Sequence, residues 1–313
     1  MIDVVVSYVY ERDKKWAQEF NYWKQREILE NKAIKENRQA FGAERTREWD
    51  VFKYWFRGLE NNCKWINKVF LIVQNENHIP KWLNRNHPKL RIIYHDEYIP
   101  KELLPTFNAM TICCYISNIQ ELSNNYIICD DDFYFLNPIE KDRFFKNNRP
   151  VHKDNKINYE FFNDFMQNLS DGVFYSILNS DLEFTTKLTG KRIKYGIYHL
   201  PEARLKNFEQ EIIHNNEQDF KNHFNKSKFR SRDNLCHTVF SDLLKLNNKV
   251  YWDDPYKNCC YVALKSNVDF NNYKNKDIVC FNDTEQLDDY NLTKQNFIKF
   301  LNEKFPNKSS YEV

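Results

Sequence analysis

Glycine is scarce in this chain: 5 of 313 residues, none of them clustered. A phosphate-cradling loop and a dinucleotide fingerprint both need several glycines close together, so neither is present. No CxxC occurs among the 8 cysteines; two pairs are adjacent, Cys113-Cys114 and Cys259-Cys260, and Cys129 and Cys280 sit inside apolar runs. This pattern reads as buried free thiols rather than a disulfide framework or a zinc site. There is no basic run and no zinc-finger or homeodomain pattern. Lys+Arg (46) nearly balances Asp+Glu (44), for a net charge of +2 spread along the chain. That is a solvated surface, and no nucleic-acid partner is expected. No apolar run approaches the roughly 20 residues of a membrane span. MIDVVVSYV lacks the basic start and long apolar core of a signal peptide. The expected location is cytoplasmic, with peripheral contact at the inner face of a membrane left open.

What is abundant is aromatic: 16% of residues, with 25 Phe and 19 Tyr, within a hydrophobic content of 42%. Such a chain can bury a large core as one domain or two modest ones. Residues 2–9 (IDVVVSYV), Val69 to Val73, Leu90 to Tyr94 and Tyr126 to Cys129 are short apolar runs that read as buried strands. Between them, residues 13–37, 45–61 and 106–119 read as helices. Apolar strands alternating with helices predict an α/β fold with a mainly parallel sheet. Residues 155–246 read as mostly helical, an insertion into that domain or a lid over it. Lys249 to Trp252, Tyr261 to Leu264 and Ile278 to Phe281 return as strands, and 291–303 as a C-terminal helix. The expected division is 1–150, 151–248 carrying a His and an Arg of interest, and 249–313 completing the α/β part.

The stretch YIICDDDFYF, Tyr126 to Phe135, carries the chemistry. Asp130, Asp131 and Asp132 follow an apolar strand, at the end where open parallel sheets bind ligands. Adjacent carboxylates repel and raise one another's pKa unless a positive charge lies between them. A hard divalent cation suits them, since Mg²⁺ takes one or two carboxylates together with substrate phosphates. The plainer alternative is a solvated acidic turn. His199, in YGIYHLPEAR at the start of a predicted helix, is a candidate general base or phosphate ligand. Arg230, in KFRSRDN, has the fork that matches phosphate. Lys53 and Arg57, four apart in FKYWFRG, share a helix face.

Four separated segments in order resemble the Stealth family of bacterial capsular and exopolysaccharide phosphotransferases, which is related to the catalytic part of lysosomal-enzyme N-acetylglucosamine-1-phosphotransferase. They are IDVVVSYVYERDKKW; the span from Asp50 through Asp132, with FKYWFRGLE, LPTFNAMTI and NNYIICDDDFYFLNP; HLPEARL with KFRSRDN; and CFNDTEQ running to FPNKSSYE. The resemblance covers nearly the whole chain. It implies a GT-A-like fold and the transfer of a sugar 1-phosphate from a UDP-sugar to a glycan or lipid-linked oligosaccharide hydroxyl, releasing UMP. It also implies Mg²⁺ (or Mn²⁺) held by Asp131 and Asp132, and His199, Asp132 and Arg230 in catalysis. Substrate binding would fall to Asp3, Lys53, Arg57, Asn108, Asp130, Arg232, Asn282, Asp283, Lys308 and Ser309. Tyr8 and Tyr10 depart from the usual Trp and Asn or Asp. Cys113 stands where the second block carries a Glu, whose role would be lost or passed to Asp130. The alternatives are a metal-dependent glycosyltransferase that releases UDP and a non-catalytic nucleotide-sugar-binding protein.

Overall fold

A computed structural model describes residues 1–30, 38–157 and 172–313. Its central sheet has five strands. Four come from the apolar runs: β1 (Ile2–Ser7), β2 (Val69–Val73), β3 (Leu90–Tyr94) and β4 (Asn125–Cys129). They are mutually parallel in the order β4-β1-β2-β3, so the chain runs outward from β1 through β2 and β3 and returns to the other side of β1 with β4. β1 and β4 therefore flank a topological switch point, the crevice where open parallel sheets bind ligands. The architecture is the α/β, GT-A-like one expected.

Alternate side chains of each strand enter two different cores. Val4, Val6, Leu71 and Ile127 pack with α2 (Phe52–Asn62) and α8 (Tyr290–Lys304) through Trp55, Phe56, Phe297 and Leu301. Val5, Phe70, Ile72 and Ile128 face the other side. There they meet α3 (Ala109–Cys114), α4 (Val173–Thr189), α5 (Lys206–Asn215), α6 (Glu217–Phe224) and α7 (Val239–Leu246). Burial on both faces is why these strands read as unbroken apolar runs. No described helix is long and apolar enough to cross a membrane.

The fifth strand corrects the sequence reading. Residues 202–205 are β10 (Glu202–Leu205), antiparallel to β4, and the helix predicted after His199 begins only at Lys206. Glu, Ala, Arg and Leu are strong helix formers, and pairing with β4 overrides that preference. The helix expected over 13–37 is α1 (Lys14–Glu30) as far as Glu30, and 31–37 lie outside the described residues. The helix expected over 45–61 starts at Phe52, because Asp50 adopts a left-handed φ of 58° just before it. That leaves 46–50 as a loop. The helix expected over 106–119 is shorter, capped by the Asn108 side chain and ending at Cys114.

β5 (Phe133–Phe135) belongs to a second sheet, antiparallel to β13 (Ile278–Asn282), which runs parallel to β12 (Cys259–Ala263). The remaining strands are short. β6 (Phe145–Lys146), β7 (Arg149–His152) and β11 (Tyr251–Trp252) form a third sheet, and β8 (Lys156–Ile157) pairs with β9 (Lys194–Tyr195). α2 lies hard against β5: a Cβ at Gly58 would stand 2.8 Å from the Phe135 carbonyl oxygen.

Candidate active site

Asp130, Asp131 and Asp132 are the whole link between β4 and β5, two strands of different sheets. Their carboxylates therefore stand at the carboxyl end of β4, beside the switch point. The Asp130 carbonyl accepts the Phe133 N–H at 3.3 Å, and the Asp132 carbonyl accepts the Phe281 N–H at 3.0 Å, so the link is pinned to the second sheet.

His199 arrives from the opposite direction. β10 runs against β4 with Glu202 opposite Ile128, which carries the residues before β10 past the end of β4. His199 Nε2 lies 3.4 Å from Asp132 Oδ2, and its Nδ1 lies 3.8 Å from Asp130 Oδ2. Phe133 packs edge-on against the imidazole, with ring centres 5.1 Å apart. Burial works against the charged imidazolium, but Asp132 and Asp130 outweigh it and push His199 up to about 9.

Burial raises the Asp130 carboxyl and the charge of Asp132 adds to it, while His199 and Arg230 pull it back. Burial, then Asp132, Asp130 and Glu48, drive Asp131 well above the usual carboxylate range. Arg230 is lowered to about 10 by burial, with Arg45 adding to the effect and Asp130 opposing it. A guanidinium at that value remains charged at neutral pH. The loop that bears Arg230 is braced from α3: Asn108 Nδ2 donates to Asn234 Oδ1 at 2.8 Å, and that oxygen also accepts the Ser231 N–H at 2.8 Å. Cys113, in the slot of the expected Glu, is buried on α3 within electrostatic reach of Asp130 and Arg230.

Asp132 Oδ1 is buried and accepts no hydrogen bond from a described residue. A carboxylate oxygen without a donor, beside two further carboxylates that repel it, forms an oxygen-rich set suited to a hard divalent cation.

Several residues around this centre escaped the sequence reading. Tyr8, just past β1, donates to Glu48, and both act electrostatically on the triplet. Arg45 is a second cation near Asp130. Cys280 of β13 reaches Asp132 Oδ2 with its Sγ at 3.3 Å. Tyr261 lies 6.1 Å from the His199 ring, centre to centre, and accepts from Asn282 Nδ2 at 2.7 Å. Position gave a usable signal for Tyr8, just past the end of β1, and for Arg45 and Glu48, ahead of α2; Cys280 and Tyr261 sit mid-strand in β13 and β12 and carried none.

Of the expected substrate-binding residues, Asp130 lies beside His199 and Asn282 donates to Tyr261. Asp283 is a brace rather than a free acid, accepting from Arg47 at 3.0 Å and Trp49 Nε1 at 3.1 Å and so fixing the loop that carries Glu48. Asn108 is fully buried and likewise braces. Arg232 donates to Ser176 at 3.2 Å. Asp3 is fully buried at the far end of β1 and accepts from Asn67 Nδ2 at 2.7 Å, the Lys68 N–H at 3.1 Å and the Ser123 N–H at 2.7 Å. A carboxylate so enclosed ties strand starts together and meets no substrate. Arg57 is also structural: it clasps Glu312 through two 2.7 Å hydrogen bonds and donates to the Phe305 carbonyl. Lys308 donates to the Val313 carbonyl and Ser309 to Glu312, so both belong to the C-terminal knot. Lys53 holds its ammonium over the Tyr54 ring, and no described contact joins it to the carboxylates.

Residues 45–153 match the family model described as Stealth protein CR2, conserved region 2. A capsular polysaccharide phosphotransferase, WcwK, of Streptococcus pneumoniae is 30% identical over 339 aligned residues, which span 99% of this chain and 98% of that protein. The chain belongs to the Stealth family. A second pneumococcal protein of that name is 29% identical over 99% of this chain and 98% of its own length. The receptor polysaccharide phosphotransferase WefC of Streptococcus gordonii is 26% identical over 100% of this chain and 99% of its own length. The matched Stealth region holds the acidic link, the Glu48 loop and α3. His199 and Arg230 lie beyond it and join it only through the fold.

Proposed function

We infer that this Stealth-family phosphotransferase moves a sugar 1-phosphate from a UDP-sugar to a hydroxyl of a glycan acceptor, in the synthesis of a capsule or another cell-surface polysaccharide. One observation carries the reading: Asp130 and Asp132, just past the end of β4, meet His199, just ahead of β10, within 3.4–3.8 Å at the switch point, with Arg230 acting electrostatically on Asp130. The names of the relatives, polysaccharide phosphotransferases, support it.

In the proposed reaction the acceptor oxygen attacks the phosphorus that bears the sugar. The new O–P bond forms, the P–O bond to UMP breaks, and UMP leaves. The sugar's own C–O bond is untouched, so its anomeric configuration is kept. Arg230 neutralises charge growing on the phosphoryl oxygens, the part such a transfer most needs from a protein. As an imidazolium, His199 attracts the anionic donor; in its neutral form it is a base of suitable strength for the acceptor proton, a role Asp132 shares. Asp131 and Asp132 would hold Mg²⁺ (or Mn²⁺), which when bound neutralises the diphosphate. The reaction is assigned to the cytoplasmic side of the membrane, with a growing or lipid-linked glycan as acceptor.

The test is incubation with a panel of UDP-sugars, Mg²⁺ and an oligosaccharide acceptor, followed by nucleotide analysis and phosphorus NMR. UMP together with a new phosphodiester resonance is expected. UDP in place of UMP would make the protein a glycosyltransferase. Calorimetric donor binding with no nucleotide released would make it a binding protein.

A further inference from the structure

Cys280 is fully buried in β13, within the apolar core, yet its sulfur also reaches a carboxylate. Its Sγ is 3.3 Å from Asp132 Oδ2, and the same oxygen is 3.4 Å from His199 Nε2. The three donor atoms lie within 4.8 Å of one another. Zinc binds sulfur at about 2.3 Å and nitrogen or oxygen at about 2.0–2.2 Å in a tetrahedron, so two of its ligand atoms lie roughly 3.4–3.6 Å apart. The two measured edges come close to those of a tetrahedral zinc site before any side chain moves.

The donor set also separates zinc from magnesium. Thiolate and imidazole are ligands for zinc and its transition-metal neighbours, whereas magnesium takes oxygen. The oxygens that suit magnesium are those of Asp131 and Asp132 Oδ1, which accepts no hydrogen bond from a described residue. The His199 side chain is 44% exposed, which leaves an open approach and a free fourth position.

We propose that Asp132 Oδ2, His199 Nε2 and Cys280 Sγ form a three-ligand site for Zn²⁺ or a similar thiophilic cation, distinct in its donors from the oxygen set suited to Mg²⁺. Binding displaces the thiol proton, which leaves to solvent, and occupies His199 Nε2. If the transfer reaction proposed above is right, occupancy removes its base, and the site is inhibitory. The metal site itself does not rest on that reading.

The test uses the full chain, stripped of metal by a chelator, with no donor or acceptor present. It is titrated with Co²⁺, which reports a thiolate ligand through a sulfur-to-cobalt charge-transfer band. The expected result is one equivalent bound with that band. Zn²⁺ should abolish the band, and a large excess of Mg²⁺ should not. Cys280→Ser should remove the band, with folding checked by circular dichroism. His199→Gln, at a half-exposed position outside the sheets, is the second variant. It should weaken binding by about tenfold or more, the scale on which metal sites respond to altered surroundings. The proposal is overturned if no band forms or if the band survives in folded Cys280→Ser. It is also overturned if His199→Gln binds as tightly as the unaltered chain.

Discussion

At the scale of the residue, two aspartates, Asp3 within β1 and Asp132 in the link after β4, do opposite work. Asp132 has one oxygen without a donor and another shared by His199 and Cys280. Asp3 has every contact filled from inside the protein. His199→Ala should lower turnover by about 10²–10⁴ while leaving thermal unfolding nearly unchanged, since a general base is worth that much. Steady-state rates beside a melting curve would check it, and retained activity would remove His199 from the mechanism. Asp3→Ala should show the reverse. It strands two backbone N–H groups and the Asn67 amide, each costing about 1–3 kcal/mol, so the melting temperature falls. The sequence made Asp132 and His199 legible because their types and places match chemistry. It did not separate them from Asp3, because a carboxylate that holds a strand and one that holds a ligand are spelled alike.

The elements explain which parts of the site could be read. β1 to β4 were visible as apolar runs because both faces of the sheet are covered. β10 was hidden in a helix-forming sequence, and so was the reason His199 reaches Asp130. Arg57 and Lys53 do share helix α2, as their spacing required. Spacing could not tell that Arg57 faces Glu312 in the C-terminal knot. Arg57→Ala removes one partner of a buried pair and should cost about 3–5 kcal/mol in denaturant unfolding. Gly58 offers a sharper case. Alanine is favoured over glycine in a helix by about 1 kcal/mol, so propensity alone predicts stabilisation. The 2.8 Å approach to the Phe135 carbonyl predicts the opposite, because neither backbone yields cheaply. Gly58→Ala should therefore lower the melting temperature; a rise would mean that α2 and β5 stand further apart.

The whole molecule buries histidines that it keeps neutral. Burial depresses His95 and His152 to about 3 and His78 to about 4. The folded form of each refuses a proton that the unfolded chain accepts near 6.5. Their contribution to stability is therefore complete above that pH and is lost as pH falls toward 3–4. Each such group contributes a slope of up to about 1.4 kcal/mol per pH unit in that window. Urea unfolding at successive pH values should show a midpoint falling steadily below pH 6.5. His152→Gln, placed to donate to the Ala203 carbonyl as His152 does at 3.0 Å, should flatten the slope. An unchanged slope would show that His152 is not a contributor. None of this was open to the sequence, since the number of histidines says nothing of how many are enclosed.

The acidic bridge between the sheets leaves little room for change. It has no spare residue, so lengthening it by one would swing a carboxylate off its imidazole partner and twist β5 against α2. Natural variation and engineering alike should fall on the rim instead, in the segments fastened by the Arg47–Asp283 and Tyr261–Asn282 clasps. Grafting rim segments between homologues is the natural route to a new sugar preference, with the bridge carried over intact.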